Sequence, residues 1–293
     1  MSNIGKQTKK TGSKFGGEWT VAKLEIIDKY LDFYIKAMDK QTWANKIYID
    51  AFAGSGKTNL PDGAVVEGSP AIALKYDFEK YYFIEYDAKR IEELKIYISK
   101  SFPTKLSKVE FMQGDCNIEL PKLFNAIAKN KNNRGVMFLD PYALELKWEI
   151  LEKAKETCLD VWYLFPMMAN RLLTKDKSKL DEYRQKLNTL LGGNEWEQEL
   201  YFEDPQISMF GGVKYIKHPI EKLEKYVIER LKKLFGDGTR YKVFHNVKNS
   251  PLFMLCFFVT NPKPNAKNLG GKVVSDIFKK IDTLKLKGGE HEM

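Results

Sequence analysis

Four acidic residues, Asp50, Glu85, Asp115 and Asp140, each close a short apolar run. The runs are Lys46-Ile-Tyr-Ile-Asp50, Tyr81-Tyr-Phe-Ile-Glu85, Val109-Glu-Phe-Met112 reaching Gly114-Asp115, and Gly135-Val-Met-Phe-Leu-Asp140. Each run reads as a strand, so each carboxylate falls at a strand's carboxyl end. One such acid alone is a helix cap or a solvated loop charge. Repeated at successive strands they make a polar rim, and open parallel sheets bind ligands outside the carboxyl ends of their strands. The first run passes into Ala51-Phe-Ala-Gly-Ser-Gly56, small residues that let backbone approach a ligand closely. Asp50 can hold an amino group there, directly or through water. Glu85 stands where dinucleotide enzymes place the acid that binds ribose hydroxyls. Asp115 is positioned to meet an adenine amino group.

These acids need a scaffold. After Trp19, residues Leu24, Ile27, Leu31, Tyr34 and Ile35 recur near the helical period, with Thr20 as the expected N-cap. Trp19 is a hydrophobic anchor for this helix or a lid over the ligand. Further helices are expected near Pro70–Phe78, Ala88–Lys100, Ile118–Lys129 and Trp148–Glu156, with a fifth strand over Asp160–Phe165. Alternating strands and helices imply a mainly parallel sheet covered on both faces. Residues 171–215 break the rhythm with charge, Trp196, Asp204-Pro205 and Gly211-Gly212, and read as a helical insertion. Pro219–Phe235 is an amphipathic helix. Arg240–Asn246 and Leu252–Val259 are strands whose short link, Asn249-Ser250-Pro251, permits only an antiparallel pair. Leu269–Ile281 closes the chain as a helix, and Gly288-Gly289 should be loose. The expected fold is α/β: a mainly parallel, Rossmann-like sheet with a C-terminal antiparallel pair, the seven-strand order of class I methyltransferases. Residues 1–17 form a basic tail and 18–293 one domain carrying the insertion.

Two ligands compete for the first loop. Ala51-Phe-Ala-Gly-Ser-Gly-Lys57-Thr58 resembles a phosphate-binding loop with Ala in place of its first Gly. Gly135–Asp140 likewise resembles the strand that ends in the Mg-binding Asp of nucleotide hydrolases. A phosphate loop works because a helix starts at the Lys-Thr and points free N–H groups at the phosphates. Here Asn59-Leu60-Pro61-Asp62-Gly63 follows, and proline and glycine oppose that helix. S-adenosylmethionine, with an amino group, a ribose and a sulfonium, suits the acids better. Its candidate contacts are Asp50, Phe52, Ala53, Gly54, Gly56, Glu85, Asp115 and Cys116.

Leu139-Asp140-Pro141-Tyr142 resembles the Asp/Asn-Pro-Pro-Tyr/Phe motif of amino-group methyltransferases. There the acid or amide and a proline carbonyl accept hydrogen bonds from an exocyclic amine, and the aromatic ring stacks on a flipped base. Catalysis is chiefly positioning of the nitrogen lone pair. This chain has one proline, closer to the version in some tRNA guanine-N2 methyltransferases. Asp140, Pro141 and Tyr142 are the candidate catalytic residues. Tyr142 either stacks on a base or fills the core. Asn170 and Arg171, after the fifth strand, are candidate substrate contacts, Arg171 for a phosphate or carboxylate.

Over nearly its whole length the chain resembles the three-Cys-motif partner proteins. The resemblance rests on Gly17-Glu18-Trp19-Thr20 with Lys23-Leu24, Tyr48-Ile-Asp-Ala-Phe-Ala-Gly54, Gly68-Ser69-Pro70, and Tyr82-Phe-Ile-Glu85. It continues in Gly114-Asp115-Cys116-Asn117, Phe138-Leu-Asp-Pro-Tyr142, Phe165-Pro166 and Asn170-Arg171. It implies a methyltransferase-like fold and a partner protein with a cysteine-bound cluster. Two functions follow: methyl transfer from S-adenosylmethionine to a nucleic-acid amine, or a catalytically degenerate subunit for that partner. A nucleotide hydrolase is the third.

Composition narrows the rest. Cys116, Cys158 and Cys256 are far apart, as are His218, His245 and His291, so neither a metal-ligand set, a disulfide framework nor a His-centred triad is expected. Reduced thiols point to the cytoplasm. A net charge of +9 attracts polyanions, nucleic acid first. Residues 1–17, with Lys6, Lys9, Lys10 and Lys14, lack the apolar centre of a signal peptide, and no run is long enough to span a membrane.

Overall fold

The computed structural model describes residues 17–60, 63–174, 177–203, 215–246 and 248–289. Seven strands form the main sheet: β1 (Asn45–Asp50), β2 (Lys80–Glu85), β3 (Val109–Gln113), β4 (Asn133–Leu139), β5 (Leu159–Pro166), β6 (Arg240–His245) and β7 (Pro251–Val259). Their order is β6-β7-β5-β4-β1-β2-β3. The first five strands run parallel, while β7 is antiparallel to both β5 and β6. This is the Rossmann-like, mainly parallel sheet with a C-terminal antiparallel pair expected from the sequence. The order reverses between β1 and β4, so the carboxyl ends of these two strands flank the switch point where such sheets open a crevice.

Alternation along each strand divides the apolar residues between two faces. Ile47, Ile49, Met137, Leu139, Val161 and Tyr163 face one core, with α4 (Cys116–Ala128), α5 (Trp148–Ala154) and α8 (Ile220–Phe235) over it. Tyr48, Tyr81, Phe83, Val136, Phe138, Trp162 and Leu164 face the other. That face is covered by α1 (Glu18–Met38), α2 (Ser69–Leu74), α3 (Ala88–Ser101) and α9 (Pro264–Gly289).

Helix α1 bears directly on the site. Ile26, Ile27, Tyr30, Leu31 and Tyr34 form its buried stripe, and Lys29–Glu25 and Lys36–Asp32 pair at i,i+4 on the wet side. It begins one turn earlier than its expected cap: Gly17 precedes the first helical residue, and Thr20 is buried within the first turn.

Several local details add to or depart from the sequence expectation. Lys57–Asn59 and Val65–Glu67 form a small hairpin before α2. The 171–215 segment holds α6 (Lys177–Leu191), α7 (Trp196–Leu200) and a hairpin, Tyr201–Glu203 with Tyr215–Lys217. Its Leu187, Leu191, Trp196 and Leu200 join the α4/α5 core. The closing helix α9 continues through Gly288-Gly289 to its end, where a loose tail was expected. Its interior Gly271 allows close crossing, since a Cβ there would lie 2.6 Å from the Gly238 carbonyl oxygen. In the β6–β7 turn, Asn246 Oδ1 accepts from the N–H groups of Lys248 and Ser250 at 2.9 Å, and Asn249 takes φ 56°. The tail at 1–16 and the Asp204-Pro205 and Gly211-Gly212 breaks lie outside the described residues.

Candidate active site

Asp50, the last residue of β1, is fully buried. Its Oδ1 accepts from the Phe52 N–H at 3.2 Å, and its Oδ2 has no hydrogen-bond partner. Burial raises its pKa to about 7, with the Ser69 hydroxyl and the Phe52 N–H opposing the rise, as does the more distant Lys23. A lone carboxylate oxygen at this depth is costly to leave without a donor.

The loop after it is fixed from both sides. Ala51 N–H donates to Phe138 O at 3.1 Å, and Ala53 N–H to Ile84 O at 2.9 Å. Gly54 has φ 60° and a Cβ on it would meet nothing within 4 Å, so this backbone faces open space. Gly56 has φ 80° for a different reason: a Cβ there would lie 2.7 Å from the Tyr97 ring and 2.8 Å from Leu94. Ala53 is buried and Phe52 partly so. No phosphate loop forms, because Lys57 begins a strand and its ammonium lies over the Tyr97 ring, 5.2 Å from the centroid. That removes the structural basis of the nucleotide-hydrolase reading.

Glu85 closes β2 with one oxygen on the Gly54 N–H at 2.8 Å and the other on the Asp87 N–H at 2.9 Å. It braces the loop, and each oxygen keeps a further lone pair for a hydroxyl. Asp115 caps α4, its Oδ1 accepting from the Asn117 backbone and side-chain nitrogens, both at 2.8 Å. The Cys116 thiol faces the core, and burial pushes its pKa up to about 12, so only its backbone is left to serve a ligand. Two residues that sequence reasoning missed flank these acids: Tyr86 is 76% exposed and Ile118 55% exposed. For Tyr86, a large aromatic side chain directly after a strand-end acid was the available signal.

At the end of β4, Asp140 Oδ2 pairs with the Lys23 ammonium from α1, a partner that the sequence did not suggest. Lys23 is nearly buried, with its Nζ 5.3 Å from the Trp19 ring centroid and 5.7 Å from that of Phe138. Trp19 in turn stacks on Phe253 of β7 at 4.6 Å, the anchor role. Lys23 sits four residues before Ile27 and seven before Tyr30, on the buried stripe of α1. A lysine on an apolar stripe was its only sequence signal. Pro141 is buried, and Tyr142 is 87% exposed, which excludes its core-filling alternative.

Asn170 and Arg171 lie in the 3-10 turn Met167–Arg171 after β5, on the same rim. Asn170 Oδ1 is buried without a partner, its carbonyl accepts from Lys217 Nζ at 2.7 Å, and Arg171 is exposed. A surface cleft lined by Lys147, Glu149, Glu152, Asn188, Thr189 and Gly192 contains none of the candidate residues. Among the described residues no group of His, Cys, Asp or Glu could hold a metal ion, and no helix is long and apolar enough to cross a membrane.

No family model matches the chain, and no curated protein matches its sequence. It is similar in structure to protein LPL1258 from Legionella pneumophila (TM-score 0.36, 15% identity, 79% of this chain and 96% of that one). It is also similar to the methyltransferase domain of a bacterial CtHen1 (0.36, 12%, 80% and 98%). A third is the N-terminal domain of EvdMO1, solved with SAH and D-fucose (0.39, 8%, 79% and 82%). The strand order carries the fold.

Proposed function

We propose that this chain binds S-adenosylmethionine at the β1–β2–β3 rim and directs its methyl group to an exocyclic amine of a nucleic-acid base. The observation that carries the cofactor reading is the buried Asp50 Oδ2 without a donor, beside open space at Gly54. The residues present fit the group. Asp50 would accept from its ammonium, and Glu85 from its ribose hydroxyls. Tyr86 and Ile118 would flank a flat ring, with Asp115 at its amino group. When bound, S-adenosylmethionine supplies an electrophilic methyl group. The chain's part is to orient: Asp140 and the Pro141 carbonyl accept from the amine, the exposed Tyr142 ring stacks on the base, and Arg171 meets a phosphate.

Charge placement supports a polyanionic substrate. Residues 240–293 carry ten Lys and Arg against four Asp and Glu, and residues 1–16 carry four Lys and no acid. The 223 residues between are close to neutral, with 34 basic against 35 acidic. Helix α9, within the first of these segments, packs on α1, the helix that delivers Lys23. Basic segments of this kind would release counterions from nucleic acid. The three free thiols accord with a cytoplasmic protein.

A second reading is a subunit for a three-Cys-motif partner protein, without catalysis. The Lys23–Asp140 pair favours it, because it engages one of the two carboxylate oxygens that amine chemistry would use. Calorimetric titration with S-adenosylhomocysteine, with ATP–Mg as comparison, tests the cofactor site. We expect binding of the first ligand only, lost in Asp50→Ala. Methyl incorporation into DNA or RNA then separates enzyme from subunit.

A further inference from the structure

We propose that Lys23 sets the substrate class of this site: by neutralising Asp140 from inside, it leaves a carboxylate that accepts a hydrogen bond from a neutral amine and does not attract a cationic one. The inference deepens the reading of Asp140 as the amine acceptor and rests on it.

The reasoning starts from charge. A bare carboxylate at a protein surface draws any ammonium, and an alkylamine such as a lysine side chain or a polyamine is protonated at neutral pH. A nucleobase amine is neutral and offers only N–H groups. A site built on an unpaired aspartate would therefore favour the alkylammonium. In this chain Asp140 Oδ2 is taken by the Lys23 ammonium, and no other partner of Asp140 is found among the described residues. Their side chains are 6% and 23% exposed for Lys23 and Asp140, so the cation lies inside and the carboxylate reaches the rim. Oδ1 remains as an acceptor with little net charge behind it. A second cation arriving there would meet the Lys23 charge a few ångströms away, poorly screened by solvent.

The pair is held by structure. The Lys23 head lies near the Trp19 and Phe138 rings, and α1 is packed along the sheet. Removing the ammonium while keeping the stem isolates its electrostatic role. Lys23→Met does this.

The test is a titration of the full chain with cadaverine, a dication, against wild type, Lys23→Met, Lys23→Arg and Asp140→Asn, repeated with Asp50→Asn added throughout, because the unpaired Asp50 carboxylate would also draw an ammonium. We expect wild type and Asp140→Asn to bind it equally weakly. Lys23→Met should gain about tenfold in affinity, a gain that fades with salt, and Lys23→Arg should behave as wild type. A merely structural lysine would not produce a gain. Wild-type binding that Asp140→Asn abolishes would overturn the proposal, and this comparison needs no Lys23 variant to fold. So would a Lys23→Met protein that melts cooperatively yet gains nothing. The titration uses no cofactor, so failure of the S-adenosylmethionine reading would show separately, in the absence of S-adenosylhomocysteine binding.

Discussion

The Tyr30 hydroxyl donates to Asp160 Oδ2 at 2.7 Å, at the amino end of β5. One residue of α1 therefore grips the sheet at the edge opposite the candidate site, while Lys23, seven residues earlier, grips Asp140 at the rim. Helix α1 spans the sheet between two carboxylates. Tyr30→Phe leaves Asp160 without its donor, and we expect a loss of about 1–3 kcal/mol in stability. Urea unfolding at pH 8 reads it, and the loss should shrink at pH 5, where Asp160 is protonated.

Stability should fall as pH rises from about 4 to 7. Burial raises the pKa values of both Asp50 and Asp160 to about 7, well above the ordinary carboxylate range. A carboxyl whose folded pKa is raised stabilises most below its unfolded pKa, and that contribution disappears as pH climbs through the folded one. Each group contributes a slope of about 1.4 kcal/mol per pH unit in that window. Asp77 acts in the opposite sense. Lys105 and Lys108 hold its pKa near about 2, so its contribution is lost only on acidification below the ordinary carboxylate range. Urea midpoints at pH 5, 6, 7 and 8 check the slope.

Asp50→Asn should separate stability from binding. It removes the buried charge, so the variant should melt higher than wild type at pH 8 and lose about half of the pH dependence. Binding of S-adenosylhomocysteine should weaken at least about tenfold, the loss of one charge-assisted hydrogen bond. In wild type the affinity should rise between pH 6 and 8, as Asp50 ionises.

The two loop glycines should respond differently. Gly56→Ala places a methyl against Tyr97 and Leu94, so we expect it to destabilise by more than about 1 kcal/mol. Gly54→Ala meets no atom and carries only the cost of a positive φ, about 1–2 kcal/mol. It should fold yet lose ligand affinity, because the added methyl stands in the open space above the loop. Thermal melts alongside calorimetry distinguish the two.

Tyr142→Ala should leave stability within about 0.5 kcal/mol, since the ring is 87% exposed. Methyl incorporation into nucleic acid should fall at least about tenfold, the loss of one base–aromatic stack. Tyr142→Phe should retain most of it, as the ring face does the stacking.

What the sequence determined by itself was the alternation of strands and helices and the placing of an acid at the end of each of the first four strands. Both are local: apolar period selects the element, and the residue closing a strand is adjacent to it in the chain. The antiparallel pair was equally readable, because a short turn admits no other geometry. The hairpin at 57–67 was not, because each of its strands is only three residues long, and the close crossing of α9 at Gly271 over Gly238 joins residues distant in sequence. The state of the site acids also belonged to the tertiary structure. The sequence cannot show that Asp50 has one oxygen without a donor, that Glu85 braces Gly54, or that Lys23 meets Asp140 across 117 residues. Burial and pairing decide how a carboxylate behaves, and both depend on what the rest of the chain brings beside it.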